Sequence, residues 1–153
     1  MACQYRCKHR VEFSDTDMAG IVHFSNLFRY MEIAEHEFLR ALGLSVHARI
    51  DGRVVSWPRL RAECAYHAPA RFEDELEIAL IVREKRTKSI IYDFIISKTD
   101  GSELAHGSIT VVCTTVDPVS GKLSSIPIPA SFDEKIEAAP AELRQSYVGS
   151  RKR

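Results

Sequence analysis

The feature that most constrains this fold is one stretch of helical period set between strand patterns. Leu27, Met31, Ile33, Ala34, Phe38 and Leu42 recur at spacings near 3.6, with Arg29, Glu32, His36 and Arg40 on the opposite side. This stripe belongs to one amphipathic helix of about 17 residues. Ser25 or Asn26 is placed to cap its start, while Arg40 and Gly43 supply the expected stop. The other periodic stretches have a period of two. Tyr5, Cys7, His9, Val11 and Phe13 alternate with Arg6, Lys8, Arg10 and Glu12, the pattern of a half-buried strand that ends at Ser14-Asp15. After a polar connection around Ile50-Asp51-Gly52-Arg53, three more sets alternate: Leu60, Ala62, Cys64, Tyr66; then Leu76, Ile78, Leu80, Val82; then Ile90, Tyr92, Phe94, Ile96. Ile91 and Ile95 make the third set apolar on both faces, which predicts a central strand. Thr99-Asp100-Gly101-Ser102 reads as a hairpin turn, and Leu104 to Val116 as the last long strand. Ser131 and Glu134 have capping-box spacing, and Gly149 to Arg153 reads as a loose tail. One strand, one long helix and about four antiparallel strands define an α+β fold with the helix on one sheet face.

The 153 residues are most simply one domain, 1–153, long enough to bury a real core. The 21 basic and 21 acidic residues cancel, so no global footprint for nucleic acid or a membrane surface is expected. No stretch approaches the ~20 apolar residues of a spanning helix. The start, MACQYRCKHR, lacks the apolar run of a secretory signal. Cys3, Cys7, Cys64 and Cys113 are scattered without CxxC spacing, which suits reduced thiols and a cytoplasmic location. His67 and His106 read as ordinary strand residues. No His/Asp/Glu set has metal-ligand spacing, so no metal is expected. Neither a GxSxG elbow nor a phosphate-binding glycine loop is present.

The chemistry concentrates between Phe13 and Phe24, FSDTDMAGIVHF, where two carboxylates and Gly20 precede the helix. A carboxylate facing the positive end of a helix suits acyl transfer: one group attacks while amides bind the developing charge. The run Val11-Glu12-Phe13-Ser14-Asp15-Thr16-Asp17-Met18-Ala19-Gly20-Ile21-Val22, followed by Asn26 and the helix, resembles the 4-hydroxybenzoyl-CoA thioesterase family. The similarity in order and spacing runs from about residue 5 to residue 130. It implies a hotdog fold, an antiparallel sheet of about five strands wrapped around one long helix. It also implies that Asp17, the second carboxylate of the motif, is catalytic, as nucleophile or general base. His23-Phe24 resembles the same stretch of 1,4-dihydroxy-2-naphthoyl-CoA thioesterases, and departs from both the Tyr-His of many bacterial relatives and the Trp-Tyr of 4-hydroxybenzoyl enzymes.

Under this resemblance the chain hydrolyses an acyl- or aroyl-CoA to free acid and CoA. Coenzyme A enters as part of the substrate, and no separate cofactor is needed. Gly20, Ile21, Val22, His23 and Phe24 form the oxyanion and substrate-binding segment. Asp15 holds the loop through backbone amides. Glu32 and Glu35 are reserve carboxylates, and Glu32 with His36 forms an i,i+4 ion pair. Arg86, Lys88 and Ser89 of the turn Glu84-Lys85-Arg86-Thr87-Lys88-Ser89 are candidates for CoA phosphates, beside the plainer reading of a solvated turn. The family further implies a homodimer joined sheet edge to sheet edge, often doubled to a homotetramer, with the active site at the subunit interface. Two other readings stay open: a dehydratase that pairs His23 with an acid, and a non-catalytic module binding acyl-CoA or an acyl carrier protein.

Overall fold

A computed structural model describes residues 1–150, apart from the side chains of residues 149 and 150. The elements run β1 (Gln4–Arg10), a 3-10 turn (Phe13–Asp15), α1 (Asn26–Ala41), β2 (Ala48–Ile50), β3 (Arg53–Ser56), β4 (Arg59–Tyr66), β5 (Glu75–Lys85), β6 (Ser89–Lys98), β7 (Glu103–Val112), β8 (Thr114–Val116), β9 (Leu123–Ser125), α2 (Ala130–Asp133) and α3 (Ala141–Ser150). The main sheet is five-stranded, in the order β1-β5-β6-β7-β4, with antiparallel neighbours throughout. It is α+β and hotdog in form: β6 is central, as its two apolar faces predict, and one long helix lies across the sheet.

Register explains how the helix is held. Cys64, Gly107, Phe94, Leu80 and Tyr5 stand in one row across the five strands, so the alternating apolar sets face one side together. Against them α1 buries Leu27, Tyr30, Met31, Ala34, Phe38 and Leu39. Each fully buried large apolar side chain contributes about 1.5–3 kcal/mol. Contact is closest at Gly107, where an added Cβ would come within 2.3 Å of the Met31 methyl and 2.7 Å of the Glu63 carbonyl. The helix ends as expected. Gly43 takes φ +71°, its amide bonds Arg40 O, and the Leu44 amide bonds Leu39 O, a Schellman stop.

Several expectations need correction. Neither Ser25 nor Asn26 caps α1 by its side chain; the Ser25 hydroxyl bonds the His23 ring and the Asn26 amide bonds Asp15 O. The polar connection at 50–53 is a tight hairpin joining β2 and β3, carried by positive φ at Asp51 and Gly52. The expected last strand breaks at Cys113, after which β8 leaves the main sheet to build a second one, β2-β3-β8-β9. No side-chain capping bond is made at the start of α2, whose N-cap residue is Pro129. The helix α3 has no strong periodicity in the sequence, yet it covers the outer sheet face, where Tyr147 is buried with Ala79, Ile81 and Ala139. Residues 149 and 150 close that helix, and the rest of the expected loose tail, 151–153, lies outside the described residues. Finally, β4 is not half-buried. It is an edge strand whose Leu60, Ala62 and Tyr66 are exposed, because no strand among the described residues pairs its outer side.

Candidate active site

The stretch between β1 and α1 folds as a small hairpin built on Asp15. The Asp15 carboxylate accepts the Glu12 amide at 3.0 Å and the Tyr30 hydroxyl at 2.9 Å. Its carbonyl accepts the His23 amide at 2.9 Å and the Asn26 side chain at 2.8 Å. Burial, then the Asp15 carboxylate, drives the Tyr30 hydroxyl far above its ordinary pKa, so it stays a proton donor. The loop is therefore tied to the first turns of α1 through one residue.

Asp17 opens the turn. Its carbonyl accepts the Gly20 amide at 2.9 Å, its own amide donates to Ile21 O at 2.9 Å, and Oδ1 accepts the Ala19 amide at 2.8 Å. Gly20 takes φ +74° with open space where a Cβ would stand, so the backbone angle, and not crowding, calls for glycine there. Oδ2 has no hydrogen-bond partner among the described residues. The carboxylate is part-exposed and borders two depressions. One, of about 540 Å³, is walled by Ile21, Val22, Phe24, Leu27, Tyr66 and Ala70, with His67, Pro69 and Leu104 completing it. The other, of about 520 Å³, runs between Phe13, Met18 and Phe72.

The segment 20–24 divides into used and unused donors. The Gly20, Val22 and His23 amides are committed to Asp17 O, Ala70 O and Asp15 O. The Ile21 and Phe24 amides have no hydrogen-bond partner among the described residues, and Phe24 stands just before the N-terminus of α1. An uncommitted amide, the positive end of a helix and a carboxylate oxygen around an apolar pocket are the parts that attack on a carbonyl carbon requires. The His23 side chain lies outside that pocket, bonded to the Ser25 hydroxyl at 2.8 Å, with its ring centre 4.6 Å from that of Phe24 at a 35° tilt.

Other expected residues lie elsewhere. Glu35 is buried beneath Arg59, whose guanidinium nitrogens stand 2.9 and 2.6 Å from its two oxygens, and Glu32 adds a 3.3 Å contact to the same cation. Burial pushes the Glu35 carboxyl above its ordinary pKa, against the pull of Arg59. His36 stands 3.7 Å from Glu32, as expected. Arg86 is folded back on Glu84 at 2.7 and 3.0 Å, and Lys88 reaches Ser125 at 3.5 Å. These residues and Ser89 sit at the opposite end of the sheet from Asp17. Leu104 by the pocket and Val111 near Ser89 are roughly 23 Å apart at ~3.3 Å per strand residue. One chain does not bring them to the pocket.

Sequence reasoning missed the far wall, Tyr66 to Ala70 and Leu104. The Tyr66 hydroxyl donates to Phe24 O at 2.9 Å, and the Val22 amide donates to Ala70 O at 2.8 Å, stitching wall to loop. More than 40 residues separate those partners, so no local motif announces them.

Residues 11–139 match the Thioesterase-like superfamily. The acyl-CoA thioester hydrolase YbgC of Escherichia coli is 32% identical over 123 residues, covering 80% of this chain and 90% of that protein. Among solved structures, the BH1999 gentisyl-coenzyme A thioesterase is 34% identical with a TM-score of 0.73, covering 84% of this chain and 99% of that one. An Asp-to-Asn mutant of 4-hydroxybenzoyl-CoA thioesterase, complexed with 4-hydroxybenzoyl-CoA, is 25% identical with a TM-score of 0.76, covering 87% and 98%. Fold, motif and these likenesses agree: the chain belongs to the Thioesterase-like superfamily and is a hotdog-fold thioester hydrolase.

Proposed function

We propose that this enzyme hydrolyses an aroyl-CoA, with Asp17 as nucleophile or general base. The observation that carries the reading is an unpartnered Asp17 oxygen on the wall of a mostly apolar pocket beside the free Phe24 amide. Attack by Asp17, or by water it deprotonates, turns the thioester carbonyl into an oxyanion, and the Phe24 amide at the helix start stabilises it. Collapse expels CoA thiolate, giving the free acid directly when water attacks, or an acyl-aspartyl anhydride that a second water hydrolyses when Asp17 attacks. One such donor is worth on the order of 3 kcal/mol. Ile21, Phe24, Leu27 and Tyr66 offer flat and aliphatic surface suited to an aromatic ring. Gentisyl-, 4-hydroxybenzoyl- and 1,4-dihydroxy-2-naphthoyl-CoA are the substrates named for similar enzymes, which supports the aromatic class.

The CoA arm and the oligomer belong together in this reading. Among the described residues the outer side of β4 is unpaired, and the strand carries exposed apolar residues, as an edge awaiting a partner does. Two copies paired antiparallel through β4 about a two-fold axis put the Arg59 end of one strand beside the Tyr66 end of the other. The Ser89 end of β6 lies on the Arg59 side, because Arg59 and Ile90 both pair with Val111. Arg86, Lys88 and Ser89 of the partner subunit would then flank this chain's pocket and meet the CoA phosphates. A homodimer, or a homotetramer of such dimers, in the cytoplasm follows from this reading. No described helix is long and apolar enough to cross a membrane.

The test is a panel of CoA thioesters (4-hydroxybenzoyl, hydroxynaphthoyl, phenylacetyl, short and long aliphatic) assayed with wild type and Asp17→Asn. Aroyl-CoA should have the highest kcat/KM, and the variant should lose about 10²–10⁴-fold on it. An aliphatic preference overturns the substrate class. Binding without turnover on every thioester favours the non-catalytic module.

A further inference from the structure

Beside the pocket, three side chains that sequence spacing keeps apart converge on one point. His67 follows β4, and Glu103 and His106 lie on β7. On a regular strand, positions three apart face opposite sides. Here Ile96 pairs with Ala105 but Ser97 with Glu103, so Leu104 is an extra bulged residue that turns Glu103 to the side of His106. The Leu104 carbonyl accepts the amides of both His67 and Ala68, at 2.8 and 3.1 Å, which pins His67 over the same bulge.

His67 Nε2 is 2.7 Å from His106 Nδ1, and Glu103 Oε1 is 3.6 Å from each. Oε1 is buried and lacks a hydrogen-bond partner. A triangle with those sides has a circumradius of about 1.9 Å, so an ion just above its plane stands ~2.0–2.1 Å from all three atoms, the usual Zn–N and Zn–O distances. The side chains are 12–28% exposed, and His67 is the most open residue of the three. We propose that His67, Glu103 and His106 form a binding site for a divalent transition-metal ion, with Zn2+ the best fit to two imidazoles and one carboxylate. Three protein ligands leave a fourth position for water. Because His67 also lines the pocket bordered by Asp17, the ion clamps that wall to β7. The attack by Asp17 does not run through it.

The test titrates full-length, reduced, chelator-treated protein with Co2+ and then Zn2+. One equivalent of Co2+ should give visible d–d bands without a thiolate charge-transfer band, and Zn2+ should displace it. Zn2+ should raise the melting temperature of wild type but not of His106→Gln or Glu103→Gln, whose affinities should fall at least about tenfold. His67→Gln, outside the strands, provides the same comparison without altering β7. No bound equivalent, a thiolate band, or affinity unchanged across the three variants overturns the proposal and leaves a hydrogen-bonded imidazole pair.

Discussion

Two carboxylates near α1 have opposite surroundings. Glu35, within the helix, is 1% exposed and locked by Arg59 on both oxygens. Asp17, ahead of the helix, is part-exposed, holds one oxygen on the Ala19 amide and leaves the other free beside an apolar pocket. A buried carboxylate with a cation nitrogen against each oxygen holds structure together, because removing the cation would leave its charge buried and unpaired. One with a free oxygen, nearby uncommitted amides and room for a substrate can do chemistry. The contrast teaches that surroundings, and not residue type or distance from the helix, sort the two.

Breaking the structural half should have the largest effect on stability. Arg59→Ala leaves Glu35 buried without its partner and should cost about 3 kcal/mol in chemical denaturation, while folded enzyme keeps kcat within a few-fold. Gly107→Ala comes next, at about 1–3 kcal/mol, because the Met31 methyl can move but the Glu63 carbonyl cannot. Calorimetry should show a drop of several degrees. Tyr66→Phe removes the bond to Phe24 O in the pocket wall and should cost about 1 kcal/mol, read as a raised KM with little change in melting temperature.

The smallest effect is in pH. Burial lowers the His36 pKa, with Glu32 opposing and Arg59 and Arg40 assisting. The folded state then binds this proton less readily than the unfolded chain. Its contribution to stability is present above the ordinary histidine range near 6.5 and is lost as pH falls through the lowered folded value. Glu35 runs the other way, its raised pKa favouring the folded state below the ordinary carboxylate range and losing that contribution as pH rises. His36→Gln should flatten the fall of melting temperature as pH drops below about 6.5.

Much of this was legible in the residues. The period change around 27–42 gave the helix, its stop at Gly43 and the four-strand run after it, because each depends on neighbours in sequence. The turn from Asp17 to Ile21 was legible because its own hydrogen bonds are local. The second sheet was not: short strands such as Ala48–Ile50 and Leu123–Ser125 hold too few residues to show a period. Of the five amides assigned to the oxyanion segment, three are occupied, two by Asp15 and Asp17 within the loop and one by Ala70, far along the chain. Arg86 and Lys88 were recognisable as cations, but their distance from Asp17 depends on strand register. Glu35 fell within the helix stripe, yet its burial depends on Arg59, 24 residues away.

The most direct measurement sets Asp17→Asn beside Glu35→Gln, with kcat on an aroyl-CoA and melting temperature recorded for both. Asp17→Asn should lose about 10²–10⁴-fold in kcat at an unchanged melting temperature. Glu35→Gln should keep kcat within a few-fold and melt lower. Full turnover by Asp17→Asn, or loss of turnover by a stably folded Glu35→Gln, would contradict the assignment of chemistry to the loop and structure to the helix.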